Sequence, residues 1–169
     1  MKKLNYLLFI SIFILICVSC GDDDEDPSAS LDDLPGALVV TIDGETLDFR
    51  YQPRAYVATY ETEDDIFDAI FISGTTSIDF TRELNISIIN PAVGSFEFGE
   101  DFVTNIIYQI IHQDGTGSTY SSNYPDTEGT ITITELTSNH IEGTFSGTLR
   151  YGENVINVTN GTFDLNISE

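Results

Sequence analysis

The chain of 169 residues holds 28 Asp and Glu against 6 Lys and Arg, which gives a formal net charge of -22 at pH 7. This charge repels polyphosphate, so it excludes nucleic-acid binding through a basic patch, and it argues against electrostatic docking on an anionic membrane. Hydrophobic residues make up 41% of the chain, which is enough for one packed domain.

The amino terminus has the pattern of a secretory targeting segment. Lys2 and Lys3 form a basic start, and an almost unbroken apolar run follows over residues 6–18. The run is shorter than the about 20 apolar residues that a membrane-spanning helix needs. It is typical of the hydrophobic region of a signal peptide, which lies outside any argument about the fold.

The targeting segment ends in Ser19 and Cys20, a small residue followed by Cys. This pair resembles the lipobox of bacterial lipoproteins, with Cys17 at the position where that motif usually has Leu. The resemblance implies that residues 1–19 are removed as a lipoprotein signal peptide and that Cys20 carries acyl chains such as palmitate. No Cys follows Cys20, so a disulfide framework is excluded.

Residues 20–35 continue from the lipidated Cys as an acidic tether that is predicted to be disordered. Residues 22–26 are all Asp or Glu, so they repel one another and offer no apolar face. Acidic residues in this position resemble the export signal of surface lipoproteins in Bacteroidetes-type bacteria. The resemblance implies an outer-membrane lipoprotein exposed at the cell surface, with a periplasmic orientation as the alternative.

Residues 36–169 show the period-two alternation of β-strands and no amphipathic helical stretch. The first run, residues 38–42, leads into Asp43-Gly44, which is a strong hairpin signal. The returning strand is predicted to end at Pro53, because proline cannot donate to a ladder. Further strand-like runs lie at residues 56–60, 69–73, 84–90, 96–98 and 106–112. The run at 106–112 is apolar on alternate positions of both faces, which predicts a strand buried on both sides.

The last third of the chain is the most regular part. Alternating strands are predicted at residues 130–135, 140–150, 155–159 and 162–167. The triplet Gly-Thr-Phe begins at Gly143 and again at Gly161, which indicates equivalent positions in neighbouring hairpins. Glycine on an apolar strand face lets a ring or another backbone approach closely. The runs together, some of them short, predict one antiparallel β-sandwich of about nine or ten strands over residues 36–169, with a small lipocalin-like β-barrel as the alternative.

Residues 128–167 also carry a family resemblance. The segments Gly-Thr-Ile-Thr-Ile-Thr-Glu-Leu, Ile-Glu-Gly-Thr-Phe-Ser-Gly-Thr-Leu and Val-Thr-Asn-Gly-Thr-Phe-Asp-Leu resemble Bacteroidetes-type surface lipoproteins. Those proteins combine a lipobox, an acidic linker and a single all-β domain of unknown function. The resemblance implies a fold and a location, and it brings no catalytic residues.

No catalytic constellation is predicted. The two possible bases, His112 and His140, have no Ser in a nucleophile elbow beside them, and Cys20 is assigned to the lipid. Two isolated His and no further thiol do not make a zinc site. We therefore expect a protein that is not an enzyme and has no cofactor.

Calcium is the most credible ion for this chain, because it takes oxygen ligands from loops. One candidate cluster is formed by Glu61, Glu63, Asp64, Asp65 and Asp68, and another by Asp114 with residues 115–117. Neither has the spacing of an EF-hand, and a solvated acidic loop is the favoured interpretation of both.

Residues 120–125, which hold Tyr120 and Tyr124, form a polar aromatic segment suited to recognition. A turn whose tyrosines cap the core is the alternative interpretation. The expected function is a non-catalytic binding module for a glycan, a small ligand or a protein, with its ligand-binding residues unassigned. The alternatives are a lipocalin-like barrel that carries an apolar ligand and a structural or adhesive surface component.

Overall fold

The computed structural model describes residues 37–61, 66–79, 81–98 and 104–168. The predicted signal peptide, lipidated Cys20 and acidic tether lie outside the described residues. None of the described residues belongs to a helix long and apolar enough to span a membrane. The described strands are β1 (Ala37–Ile42), β2 (Glu45–Asp48), β3 (Tyr51–Glu61), β4 (Ile66–Thr75), β5 (Arg82–Ile89), β6 (Gly94–Phe98), β7 (Thr104–Ile111), β8 (Gly117–Ser121), β9 (Gly129–Leu136), β10 (His140–Tyr151) and β11 (Asn154–Ser168).

The described strands form one sheet of eleven strands, and the additional β10–β11 pairing divides it into two antiparallel parts, here called layers, that are hydrogen-bonded to each other at both edges. One layer has the order β2-β1-β11-β10-β9-β6, and the other has the order β3-β4-β5-β7-β8. At one edge β11 runs parallel to β3, with Ile167 opposite Ala55. At the other edge Arg150 of β10 pairs with Ser121 of β8. The predicted all-β antiparallel fold is confirmed, with eleven described strands where about nine or ten were expected.

Alternate side chains of both layers meet between them and form the core. Burial follows the two-residue period of a strand, because successive side chains point to opposite faces. In β5, for example, Leu84, Ile86 and Ile88 are at most 1% exposed, whereas the residues between them are half-buried. The core is continuous across the domain and includes Leu38, Phe49, Ile70, Ile106, Ile131 and Phe163.

The first hairpin confirms its turn signal and corrects the prediction for Pro53. Asp43 and Gly44 both have positive φ, 47° and 86°, as a two-residue turn matched to strand twist requires. Pro53 does not end a strand but lies inside β3. The register with β4 shifts between Tyr51 and Arg54, on either side of Pro53. At such a shift some backbone N–H groups make no hydrogen bond to the partner strand, so a proline is accepted there.

Two other strand predictions are changed by the structure. Strand β7 is buried on one face only, since Ile106 is 0% exposed but Ile111 is 42% exposed. The two strands predicted at residues 155–159 and 162–167 are one strand, β11. Asn160, with a φ of 51°, bends β11 near the point where its register with β10 shifts.

The two Gly-Thr-Phe triplets were predicted to mark neighbouring hairpins, but they lie in the two strands of one hairpin, β10 and β11. In the β10–β11 pair Gly143 is opposite Phe163, and Phe145 is opposite Gly161. The triplets therefore pair with each other in antiparallel register.

Candidate functional site

The outer surface of strands β3 and β4 carries four aromatic side chains, here called the aromatic face: Tyr56, Tyr60, Phe67 and Phe71. Tyr56 and Phe71 are stacked, with centroids 5.2 Å apart and planes 19° apart. Tyr60 and Phe67 are stacked at 5.5 Å and 17°. Tyr56 is 39% exposed and Tyr60 is 44% exposed, so large ring surfaces face solvent.

Strand register explains why these rings gather. Tyr56 pairs with Phe71 and Tyr60 with Phe67, and the Ala58–Ala69 pair lies between them on the same outer face. The alanines do not separate the two stacked pairs, because the ring centroids of Tyr60 and Phe71 lie 6.1 Å apart and Ala69 is only 2% exposed. The inner face of these strands already contributes to the core through Ala55. Packing of the core therefore does not require the outer rings.

A recess of about 200 Å³ adjoins the aromatic face on its β5 and β7 side. Tyr56 and Phe71 form part of its wall, and two amide side chains, Asn85 and Asn105, form another part. Each amide supplies donors and an acceptor. The remaining lining comes from Arg54, Ile72, Ser73, Ile86, Ser87 and Ile107. The recess thus joins stacked rings to a set of hydrogen-bonding groups.

Arg54 is exposed and lies in the same outer row as Ser73 and Asn85. Its Nε donates to Ser73 Oγ at 3.0 Å. The other three arginines of the domain form ion pairs, namely Arg50 with Asp48, Arg82 with Glu45 and Arg150 with Asp126. Among the described residues Arg54 has no ion pair.

A second, wider groove of about 540 Å³ lies on the other layer, across β6, β9, β10 and β11. Hydroxyl, amide and carboxylate groups line it, and they include Glu97, Glu128, Thr130 and Asn157. The aromatic ring in its lining, Phe98, is only 6% exposed. This groove therefore offers hydrogen bonds without an exposed stacking surface.

The two histidines have different surroundings in the described part of the chain. His140 Nε2 is 2.8 Å from Asp164 Oδ1, and His140 Nδ1 is 3.4 Å from Glu135 Oε1. The hydrogen bond to Asp164, together with the charges of both carboxylates, raises the pKa of His140 above its usual value. His112 is exposed in the loop after β7, where its backbone N–H donates to the carbonyl of Thr116.

The candidate calcium ligands do not gather in the described part of the chain. Asp114 Oδ1 accepts hydrogen bonds from the N–H and the hydroxyl of Thr116, which lower the pKa of Asp114. Asp68 accepts a hydrogen bond from the Thr59 hydroxyl, and Glu61 lies at the end of β3. Glu63, Asp64 and Asp65 lie outside the described residues. Within the described ranges no group of three His, Cys, Asp or Glu side chains could hold a metal ion.

The segment at residues 120–125 is held against the domain. Tyr120 packs against the core, and the Arg150 guanidinium lies 5.9 Å from the Tyr124 ring centroid. The Thr127 hydroxyl donates to the carbonyls of Ser122 and Tyr124. The structure thus favours the core-capping interpretation for Tyr120.

The aromatic face was not predicted from the sequence, although its signal is present there. Tyr56, Ala58 and Tyr60 occupy alternate positions of one strand. Phe67, Ala69 and Phe71 occupy alternate positions of the next strand. Alternating aromatic residues normally indicate the buried side of a strand. Here the aliphatic residues of β4, such as Ile70 and Ile72, take the buried side and leave the rings outside.

Comparison with known families gives one match. A family described as a domain of unknown function, DUF6252, matches residues 39–165. The matched region begins in β1 and ends in β11, so it spans the two layers and the aromatic face. No curated protein and no solved structure matches the chain significantly.

Proposed function

The chain belongs to the DUF6252 family, and we propose that its β-domain is a non-catalytic module that binds a glycan on the aromatic face. The observation that carries the proposal is the exposure of two stacked ring pairs beside an amide-lined recess. Exposed apolar surface with a polar rim is typical of a binding site.

The chemistry of this surface suits a sugar ring. The C–H groups on one face of a pyranose carry partial positive charge and pack on the electron-rich face of an aromatic ring. The hydroxyl groups at the edge of the sugar need donors and acceptors, which Asn85 and Asn105 supply beside Tyr56. Tyr56 and Tyr60 are four residues apart on one strand, about 13 Å at the rise of a strand. A chain of several sugar units can therefore contact both ring pairs.

A site on the surface is favoured over one inside the domain. Layers of a sandwich stand about 10 Å apart, and interdigitating side chains fill that space. Leu38, Ile70, Ile106 and Ile131 are all 0% exposed where the two layers meet. The alternative of an apolar ligand carried inside the domain has no comparable support among the described residues.

The two carboxylates beside His140 favour a binding role of the domain over a catalytic one. A general base needs an imidazole nitrogen that is free to accept a proton. Both ring nitrogens of His140 face carboxylates, and its raised pKa favours the imidazolium. His140 is therefore poorly suited to activate a nucleophile.

We place this module on a lipid anchor at Cys20, exposed on the outer membrane. The support is the signal-like apolar run, the Ser19-Cys20 pair and the acidic residues that follow. Two or three acyl chains bind a membrane stably, since each buried methylene contributes about 0.8 kcal/mol. Metabolic labelling with a palmitate analogue should mark the native chain but not Cys20→Ala. Protease added to intact cells should remove the domain, and a domain that survives faces inward.

Glycan binding is tested with the full-length protein in a polyoxyethylene detergent, which carries no sugar headgroup. We expect an array of bacterial, plant and host glycans to show binding that Tyr56→Ala and Tyr60→Ala each weaken by about tenfold or more. Tyr151→Ala is the matched control, because Tyr151 is 43% exposed and lies outside the aromatic face. Equal loss in the control, or no glycan bound by the folded native protein, would disprove the proposal.

A further inference from the structure

We infer that the bound glycan carries an anionic group, a carboxylate or a sulfate ester, and that Arg54 selects for it. The inference rests on the proposed function and names the class of glycan that the aromatic face takes. It comes from the position of one arginine in a strongly acidic domain.

Arg54 has the hydrogen-bonding capacity that such a group needs. Its Nε is used by Ser73, which fixes the plane of the guanidinium beside the recess. Its two Nη groups carry four N–H donors and have no hydrogen-bond partner among the described residues. A guanidinium with this fork of donors binds a carboxylate or sulfate with two parallel hydrogen bonds.

The composition makes an arginine without an ion pair unusual here. Residues 36–169 contain 21 acidic residues and four arginines, so partners are abundant. Arg50, Arg82 and Arg150 each form an ion pair with an acidic side chain. Arg54 instead lies beside Tyr56 on a surface whose recess is lined by neutral side chains. Selection for stability alone does not explain a cation placed at this point.

The register places the cation where a substituent of a stacked sugar falls. Tyr56 is opposite Phe71, and Arg54 is opposite Ser73, two residues further along the same face. That separation is about 7 Å along a strand, which is close enough for a sugar stacked on Tyr56 to reach the guanidinium with a substituent. Asn85 lies opposite Ser73, in the same cross-strand row as Arg54, and adds an amide group to the polar part of the recess.

The net negative charge of the domain does not prevent this recognition. Charges further away than about 8 Å are largely screened at physiological ionic strength, whereas a direct contact with Arg54 is screened much less. Glu83 also lies on this face, in the row beyond Asn85, and is outside the lining of the recess. The domain therefore offers no general attraction to anions, and an anionic group is favoured where it makes direct contact with Arg54.

The test uses two matched pairs of probes with the full-length protein in the same detergent. Oligogalacturonate is compared with its methyl ester, and a sulfated galactan oligosaccharide is compared with its desulfated form. Calorimetry should show that the anionic member of at least one pair binds about tenfold or more tightly than its neutral counterpart. The pair that shows the preference distinguishes a carboxylate from a sulfate.

Arg54→Gln should abolish that preference, and Arg54→Lys should retain part of it. Arg50→Gln is the control, because it removes the same charge from an exposed arginine that is paired with Asp48. Thermal melting of each variant verifies that it is folded. If neutral members bind as well as anionic ones, or if Arg54→Gln keeps the preference, the inference is wrong while the proposed function stands. If no probe and no arrayed glycan binds, the proposed function is wrong and the inference falls with it.

Discussion

The ring of Phe145 lies directly against Gly161, where a Cβ would meet three of the ring carbons at 2.6 Å. The relation is reciprocal, because a Cβ on Gly143 would meet the ring of Phe163 at 2.4 Å. The two rings are 6.4 Å apart and nearly parallel. Each Gly-Thr-Phe triplet thus supplies a ring and receives the ring of the other triplet.

Gly161→Ala should destabilise the domain, because the added methyl group overlaps a buried ring. Overpacking of a core costs about 1–3 kcal/mol. Urea unfolding followed by far-ultraviolet circular dichroism measures the loss. Thr144→Ala, at an exposed position in the same strand pair, is the control and should change the free energy of unfolding much less.

A double variant tests the ring contact itself. Phe145→Leu removes the ring atoms that approach Gly161, so Gly161→Ala should cost less in that background than in the native chain. Costs that simply add would mean that the ring does not limit position 161.

Thr127→Val should loosen the segment between β8 and β9. The Thr127 side chain is buried, and its hydroxyl donates to the carbonyls of Ser122 and Tyr124. Replacement by an isosteric apolar group leaves buried carbonyls without this donor, at a cost of about 1–3 kcal/mol. Unfolding free energies and hydrogen exchange of residues 122–128 measure the effect. Thr127→Ser keeps the donor, and equal losses in both variants would show that the hydroxyl is unimportant.

His140 should titrate above the usual histidine pKa of about 6.5, because Asp164 and Glu135 stabilise the imidazolium. Proton NMR of the two histidines measures this, and His112→Gln assigns the signals. Asp164→Asn should lower the pKa of His140, whereas Asp48→Asn should not. A titration midpoint of His140 at or below 6.5 would contradict the structure.

The same interaction gives a pH dependence of stability. The folded-state pKa of His140 is raised, so its contribution is fully present below about pH 6.5 and is lost as the pH rises through the folded-state value. The difference in unfolding free energy between native protein and His140→Gln should be larger at pH 5.5 than at pH 8.5. A difference that does not vary with pH would show that His140 is not stabilised as an imidazolium.

Asn160 should tolerate glycine better than alanine. Its φ of 51° lies in the left-handed region, which costs a residue with a Cβ about 1–2 kcal/mol. Asn160→Ala should lower the free energy of unfolding by about 1 kcal/mol, whereas Asn160→Gly should be nearly neutral. If the two variants are equally stable, the bend in β11 does not depend on a left-handed residue.

The alternation of apolar residues predicted most of the described strands and the buried face of several of them. Leu38, Val40 and Ile42 are buried as their spacing requires, and Asp43-Gly44 forms the expected turn. Local sequence patterns failed where the pairing between strands determines the structure. Pro53 is accepted inside β3 because the register shifts there, and no local signal reports the partner strand.

The candidate site was harder to predict for the same reason. Tyr56 and Phe71 are stacked because β3 and β4 pair in one register, and that register is set by the fold. The sequence indicated His140 only as a possible base with no nucleophile elbow beside it. Its partner Asp164 lies 24 residues away in sequence and reaches it only through the β10–β11 pairing.

Strand β11 touches β1, β10 and β3, and so it belongs to the contact between the two layers. The layer that contains β11 cannot be completed before residues 154–168 are available, and β1 must wait for its second partner, which lies more than a hundred residues away in sequence. Pairing over such separations is slow, because the entropy of loop closure is lost before the contacts form. The pairing of β1 with β11 therefore forms only after almost the whole chain has been synthesised, so we expect the complete core to form late in folding.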